Sequence, residues 1–183
     1  PIDIDGAPLE LSGPAAELLY QNPSWKLPAL YYTYTAGPVQ FFVINTPLIS
    51  ERQRLWLDRE LKASTSPWKV VYGHFQIYSA LRGDNEELIK DILPILQANR
   101  ADIYFCGHEH IFQHLKPEGH VHLFVNGAGG AGARAARQKV YPNMVFMAEN
   151  KAGFSIIEAT AAALTMKFVD QDGAEIYNYT LRK

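Results

Sequence analysis

The 183-residue chain contains one cysteine, Cys106, so no intrachain disulfide can form. No apolar run approaches the roughly 20 residues that a membrane-spanning helix needs. Basic residues are not in surplus: 17 Lys and Arg stand against 19 Asp and Glu, a formal net charge of -2. Such a balance gives no field that would draw nucleic acid or an anionic membrane, and neither is expected as a partner. Gly-x-Ser-x-Gly does not occur, which removes the nucleophile elbow of serine hydrolases. There is no internal repeat and no low-complexity segment, although residues 127–137 are rich in Gly, Ala and Arg. The chain opens on Pro1, with neither Met nor a signal-type segment, and the expectation is a processed, trimmed or partial chain.

What is present is an ordinary globular composition, 48% apolar and 20% charged, long enough for one domain with a real core. Residues 1–30 are punctuated by prolines, with one short helical candidate at 14–20. Strands are expected at Tyr31–Thr35 and Gln40–Asn45, joined by a turn at Ala36-Gly37-Pro38. Ser50 is a good N-cap for an amphipathic helix running to Ala63. A strand follows at Trp68–Tyr72, then a loop at Phe75–Asp84. A second helix is expected over Asn85–Asn99, kinked or interrupted at Pro94. Ala101–Cys106 reads as a buried strand, with Cys106 as an inert buried thiol. This strand, helix, strand, helix, strand alternation predicts parallel pairing by right-handed crossovers. Beyond it, His120–Asn126 reads as a strand that leads into a plain glycine loop at Gly127 to Gly130. Phe154–Glu158, Ala163–Val169 and Glu175–Leu181 read as an antiparallel meander, its last turn at Asp170-Gln171-Asp172-Gly173.

The chemistry gathers at two strand ends. Val70-Val71-Tyr72 stops at Gly73-His74. Ile103-Tyr104-Phe105-Cys106 stops at Gly107-His108-Glu109-His110. Ligands in such sheets sit beyond the carboxyl ends of the strands, and glycine before histidine lets the backbone turn sharply. His108 and His110, two residues apart past a strand end, can reach two neighbouring positions, as a dinuclear centre requires. Imidazole suits zinc, iron, copper or nickel. Asn45 ends a neighbouring strand and reaches toward the same edge. His120 and His122 alternate along one strand without a second motif, which fits core or surface histidines. His114 has no partner that the sequence names.

These residues resemble the calcineurin-like metallophosphoesterases, and among them the small purple acid phosphatases similar to tartrate-resistant acid phosphatase. The resemblance rests on Trp25-Lys26-Leu27-Pro28 with Tyr31-Tyr32, on Phe41-Phe42-Val43-Ile44-Asn45-Thr46, and on Gln53-Arg54-Leu55-Trp56-Leu57. It continues through Val71-Tyr72-Gly73-His74 with Ile77-Tyr78-Ser79, Leu93-Pro94-Ile95-Leu96, and Tyr104 to His110 with Gln113-His114. It implies an α/β fold, a four-layer sandwich of two mixed β-sheets flanked by helices. It implies that His74 and His108 bind one metal and His110 the other. Glu109 stands where the family has Asp, and Asn45 where it has Asp after the buried strand; neither position is a ligand in the pattern.

The family's earlier motifs, Gly-Asp-x-Gly, Gly-Asp-x-x-Tyr and Gly-Asn-His-Asp/Glu, do not occur in this sequence. The resemblance therefore implies that residues 1–183 form a single domain corresponding to the C-terminal half of a metallophosphoesterase. For the complete domain it implies two metal ions, iron paired with iron, zinc or manganese. The implied reaction is hydrolysis of phosphate monoesters by a hydroxide that the dinuclear centre activates. The expected substrate is a phosphorylated small molecule or phosphoprotein, and the missing N-terminal half is a candidate partner segment. No general acid is assigned. An inactive or partner-dependent structural half-domain and a phosphodiesterase of the same superfamily are the alternatives. A secreted or periplasmic location follows from the resemblance alone.

Overall fold

The computed structural model describes residues 29–116, 119–130 and 142–183. The helical candidate at 14–20 and most of the Gly/Ala/Arg-rich stretch lie outside these.

A hairpin starts the described chain, β1 (Tyr32–Ala36) and β2 (Val39–Val43), paired antiparallel around Gly37. Gly37 has φ +57°, a left-handed conformation that glycine adopts at little cost. Helix α1 (Glu51–Ala63) follows, its first turn capped by the Ser50 side chain, which accepts from Gln53 N. Then come β3 (Trp68–Gly73), α2 (Glu86–Asp91), α3 (Leu93–Ala98) and β4 (Ile103–Cys106). The single helix expected over Asn85–Asn99 is thus two helices meeting at Ile92. Pro94 has no N–H to donate, and its ring opposes the carbonyl four residues back, so a straight helix cannot pass.

The rest of the chain is β5 (Phe112–Leu115), β6 (His122–Asn126), β7 (Met144–Ala148), β8 (Gly153–Ala159), β9 (Ala163–Asp170) and β10 (Glu175–Arg182). Seven strands form a mixed sheet in the order β1-β2-β3-β4-β6-β5-β7. Its centre, β2, β3, β4 and β6, is parallel. α1 connects β2 to β3, and α2 with α3 connects β3 to β4. Strands β8, β9 and β10 make a second, wholly antiparallel sheet. Its final turn closes as expected: the Asp170 carboxylate accepts from Asp172 N and Ala174 N, and Gly173 has φ +82°.

The central strands are apolar on both faces because both faces are covered. Phe42, Val71, Tyr104, Cys106, Leu123 and Val125 point to the helices, where Trp56, Leu57, Leu61, Leu88 and Leu96 fill the core. Val39, Val70, Ile103 and Phe124 point the other way, onto Leu164, Met166 and Phe168 of the second sheet. Trp68, 1% exposed, joins the sheets, its Nε1–H donating to Thr160 O at 2.6 Å. Cys106 is buried as expected, and burial raises its thiol pKa far above the usual range. No helix of the described residues is long and apolar enough to cross a membrane.

Candidate metal centre

Strands β3 and β4 are parallel neighbours in register, Gly73 opposite Cys106. Their carboxyl ends therefore release His74 and His108 side by side. Gly107 N donates to His74 O at 3.2 Å and ties the two turns together. Thr46, buried in the turn that follows β2, accepts from His74 N at 3.1 Å and from Phe75 N at 2.9 Å through Oγ1. A side chain at position 73 would place its Cβ 2.5 Å from Thr46 Cγ2, so this turn needs glycine. Tyr104 donates from its hydroxyl to Phe75 O at 2.7 Å and holds the turn from below.

The second turn is tighter. Glu109 N donates to Gly107 O and Ile111 N to Glu109 O, at 2.6 and 2.8 Å. His108 has φ +59°, a left-handed conformation costly for a residue with a side chain. Gly127, at the end of β6, donates its N–H to Glu109 O at 3.1 Å. A Cβ at position 127 would lie 2.2 Å from that same oxygen. The glycine stretch read as a plain loop is in part a wall: Gly127 and Gly129 line the cleft with the histidines.

In this frame His74 Nε2 and His108 Nδ1 stand 3.1 Å apart, their rings nearly perpendicular. His110 lines the same open cleft of about 460 Å³, with Arg82 and Asn126. Arg82 Nη1 lies 2.8 Å from His108 Nε2, and its Nε lies 3.8 Å from Oε1 of buried Glu109. Asn126 donates to Ser155 Oγ and accepts from Ala128 N.

The donor set can be tested against a metal ion. Two imidazole nitrogens bound to one ion at about 2.0–2.1 Å, at angles of about 90–110°, stand about 2.8–3.4 Å apart. The His74–His108 separation of 3.1 Å falls in that interval. The pair fits one metal. His110 is in the same cleft, but no cluster of three or more His, Cys, Asp or Glu groups in metal-holding geometry forms among the described residues. Of the three expected ligands, two are in contact and the third is a neighbour.

The remaining histidines go elsewhere. His114 and His122 are buried, 2.9 Å apart between Nε2 and Nδ1, and His114 Nδ1 is 2.7 Å from the Tyr177 hydroxyl. Burial lowers both, His114 to about 3 and His122 to about 4, with neighbouring Lys116 acting in the same direction. His120 Nε2 lies 3.2 Å from Asp102 Oδ1, on the opposite end of the sheet. Asn45, expected at the end of a strand, lies two residues past β2, and its main chain is clamped by Gln53, whose amide accepts from Asn45 N and donates to Asn45 O. It is not among the cleft-lining residues. Arg82 was not singled out by the sequence; an arginine in an irregular loop carries no signal until the loop is folded over the strand ends.

The calcineurin-like phosphoesterase family model matches residues 14–112, more than half of the chain. The chain belongs to that family. Among its relatives in the family, purple acid phosphatase 7 of Arabidopsis thaliana is 31% identical over 128 residues, which are 69% of this chain and 39% of the relative. Tartrate-resistant acid phosphatase type 5 of Sus scrofa is 28% identical over 140 residues, 73% of this chain and 41% of the relative. The purple acid phosphatase of yellow lupin seeds superposes with a TM-score of 0.77 at 19% identity, over 83% of this chain and 32% of that one. The fold is that of the metallophosphoesterases. The chain spans about two fifths of the length of the curated relatives it matches.

Proposed function

We propose that this chain is the part of a metal-dependent phosphomonoesterase that carries the histidine ligands. The observation that carries the reading is the pairing of His74 Nε2 with His108 Nδ1 at a separation one metal ion can span, at the carboxyl ends of adjacent parallel strands. Membership of the calcineurin-like family and likeness to purple acid phosphatases support it.

In this reading His74 and His108 hold one metal and His110 the second. Metals held there would supply a water of lowered pKa for attack on phosphorus and positive charge to offset the charge that develops. The chain's own contribution is alignment. The Gly73 and Gly107 turns and Thr46 fix the imidazoles before anything binds, so little ordering entropy remains to be lost. Neutral imidazoles bring no negative charge. Three of them divided between two metals make a weak centre, and carboxylates from elsewhere in the complete protein are needed to tighten it. The substrate class is a phosphorylated small molecule or phosphoprotein.

The test uses the full-length gene product. Bound iron, zinc and manganese are quantified, and p-nitrophenyl phosphate hydrolysis is measured, for the wild type and for His108→Ala. Loss of metal together with at least a hundredfold loss of activity is the expected result. Unchanged metal content and activity in the variant would sink the proposal.

A further inference from the structure

Arg82 brings a fixed positive charge to a cleft otherwise lined, among the described residues, by His74, His108, His110, Asn126 and two glycines. Its loop is tightly held. Leu81 N donates to Ser79 Oγ and Gly83 N to Ser79 O, at 3.0 and 3.1 Å. Ala80 N donates to Oε1 of Gln113, a fully buried side chain of β5, at 3.0 Å. The Gln76 side chain donates to Gly83 O at 3.2 Å, closing the far side. The backbone that carries Arg82 is thus positioned over the strand ends by buried side chains, while the guanidinium itself remains about a third exposed, 35%.

The contact with His108 has a strict chemical meaning. A guanidinium has donors only. With Arg82 Nη1 at 2.8 Å, His108 Nε2 must be the acceptor. In the neutral ring the proton is then on Nδ1, where it can be donated to His74 Nε2. That tautomer has no lone pair on Nδ1 to give a metal. When His108 uses Nδ1 as a ligand its proton moves to Nε2, and an N–H then faces the N–H of Arg82. The contact is repulsive in that state, and the guanidinium must leave.

Once released, it still faces the cleft that His74, His108 and His110 line. Guanidinium matches phosphate oxygens in a bidentate way, and charge-assisted bonds of this kind are the strong ones. From these observations, and resting on the metal-site reading above, we propose that Arg82 exchanges partners: it holds His108 Nε2 in the metal-free protein and binds the phosphoryl oxygens of the substrate in the metal-loaded one.

Because the two partners exclude each other, metal and Arg82 compete for His108 while Arg82 and metal cooperate on phosphate. The full-length gene product and its Arg82→Gln and Arg82→Lys variants are titrated calorimetrically with zinc alone, and the zinc-loaded proteins with inorganic phosphate. Arg82→Gln should bind zinc about threefold to tenfold more tightly, the equivalent of one lost hydrogen bond. It should bind phosphate at least about tenfold more weakly. Arg82→Lys, still donor-only and cationic, should fall between on both. A purely structural role for Arg82 weakens both ligands together, and that result overturns the proposal. So does a change in only one of the affinities, or in neither. If the wild type binds zinc and phosphate and only the variants behave otherwise than stated, the phosphomonoesterase reading stands and this inference falls. A wild type that binds neither zinc nor phosphate removes both.

Discussion

The buried imidazole pair His114 and His122 makes stability depend on pH, in a direction and by an amount the structure sets. His114 stacks on Phe124 with ring centroids 4.1 Å apart and also meets Tyr177 and Tyr179. His122 packs on Tyr179. The 2.9 Å contact between the two rings needs one nitrogen with a proton and one without. Burial holds His114 to about 3 and His122 to about 4, against 6.5 for each when solvated. Lys116 adds to both effects, and Asp102 opposes the second. The sign follows from proton counting. As pH falls through 6.5 the unfolded chain takes up two protons, while the folded protein takes up neither until pH nears 4. Stability is therefore present in full above pH 7 and lost as pH falls from about 7, to about 4 for His122 and about 3 for His114. At pH 5 each neutral imidazole costs about 2 kcal/mol, or about 4 kcal/mol for the pair. That is a large share of the 5–15 kcal/mol typical of a domain.

Urea unfolding at pH 7.5, 6 and 5 measures this directly. The wild type should lose about 4 kcal/mol more between pH 7.5 and 5 than a His114→Gln/His122→Gln double variant, whose amides do not titrate. Imidazole NMR resonances of the wild type give a second reading, because both rings should stay neutral to pH 5. A difference below about 1 kcal/mol, or a titration midpoint near 6.5 for either ring, would refute the argument.

Gly127→Ala forces a Cβ against the Glu109 carbonyl and should cost at least about 2 kcal/mol by urea midpoint, with the turn at His108 disturbed. Ser50→Ala removes the acceptor for Gln53 N and should cost about 1 kcal/mol, read as a lowered Tm without change in the cleft. Gln113→Leu keeps the apolar volume of β5 but strands the Ala80 N–H. It should cost about 1–3 kcal/mol and increase hydrogen exchange in the 76–84 loop.

Much of the larger sheet was legible because its signals are local and redundant. Phe41-Phe42-Val43-Ile44, Val70-Val71-Tyr72 and Ile103-Tyr104-Phe105 are short apolar runs separated by helical segments, the pattern of a parallel sheet. Two strands, β5 and β7, were not visible. Phe112-Gln113-His114-Leu115 is buried at every position, and its polar side chains find partners only in distant segments: Ala80 for Gln113, His122 and Tyr177 for His114. Nothing in the local pattern separates such a strand from a loop. Met144–Ala148 is a short apolar run of the kind that periodicity alone leaves ambiguous, and it becomes a strand by pairing with β5.

The sequence by itself determined that His74, His108 and His110 sit at strand ends, because glycine follows an apolar run in each case and each strand must stop there. It also determined the family, through the order in which those motifs arrive. Only the tertiary structure decided which histidines meet. Parallel register between β3 and β4 brings His74 and His108 to 3.1 Å, while His110 is turned one step further by the Glu109 turn against Gly127. The same holds for Arg82, which no pattern marks. Its place beside His108 comes from hydrogen bonds of Gln76, Ser79 and Gln113 to a loop that is irregular in sequence and fixed in space. Strand ends are local properties of the chain. The distances between them are set by pairing and packing across the whole sheet.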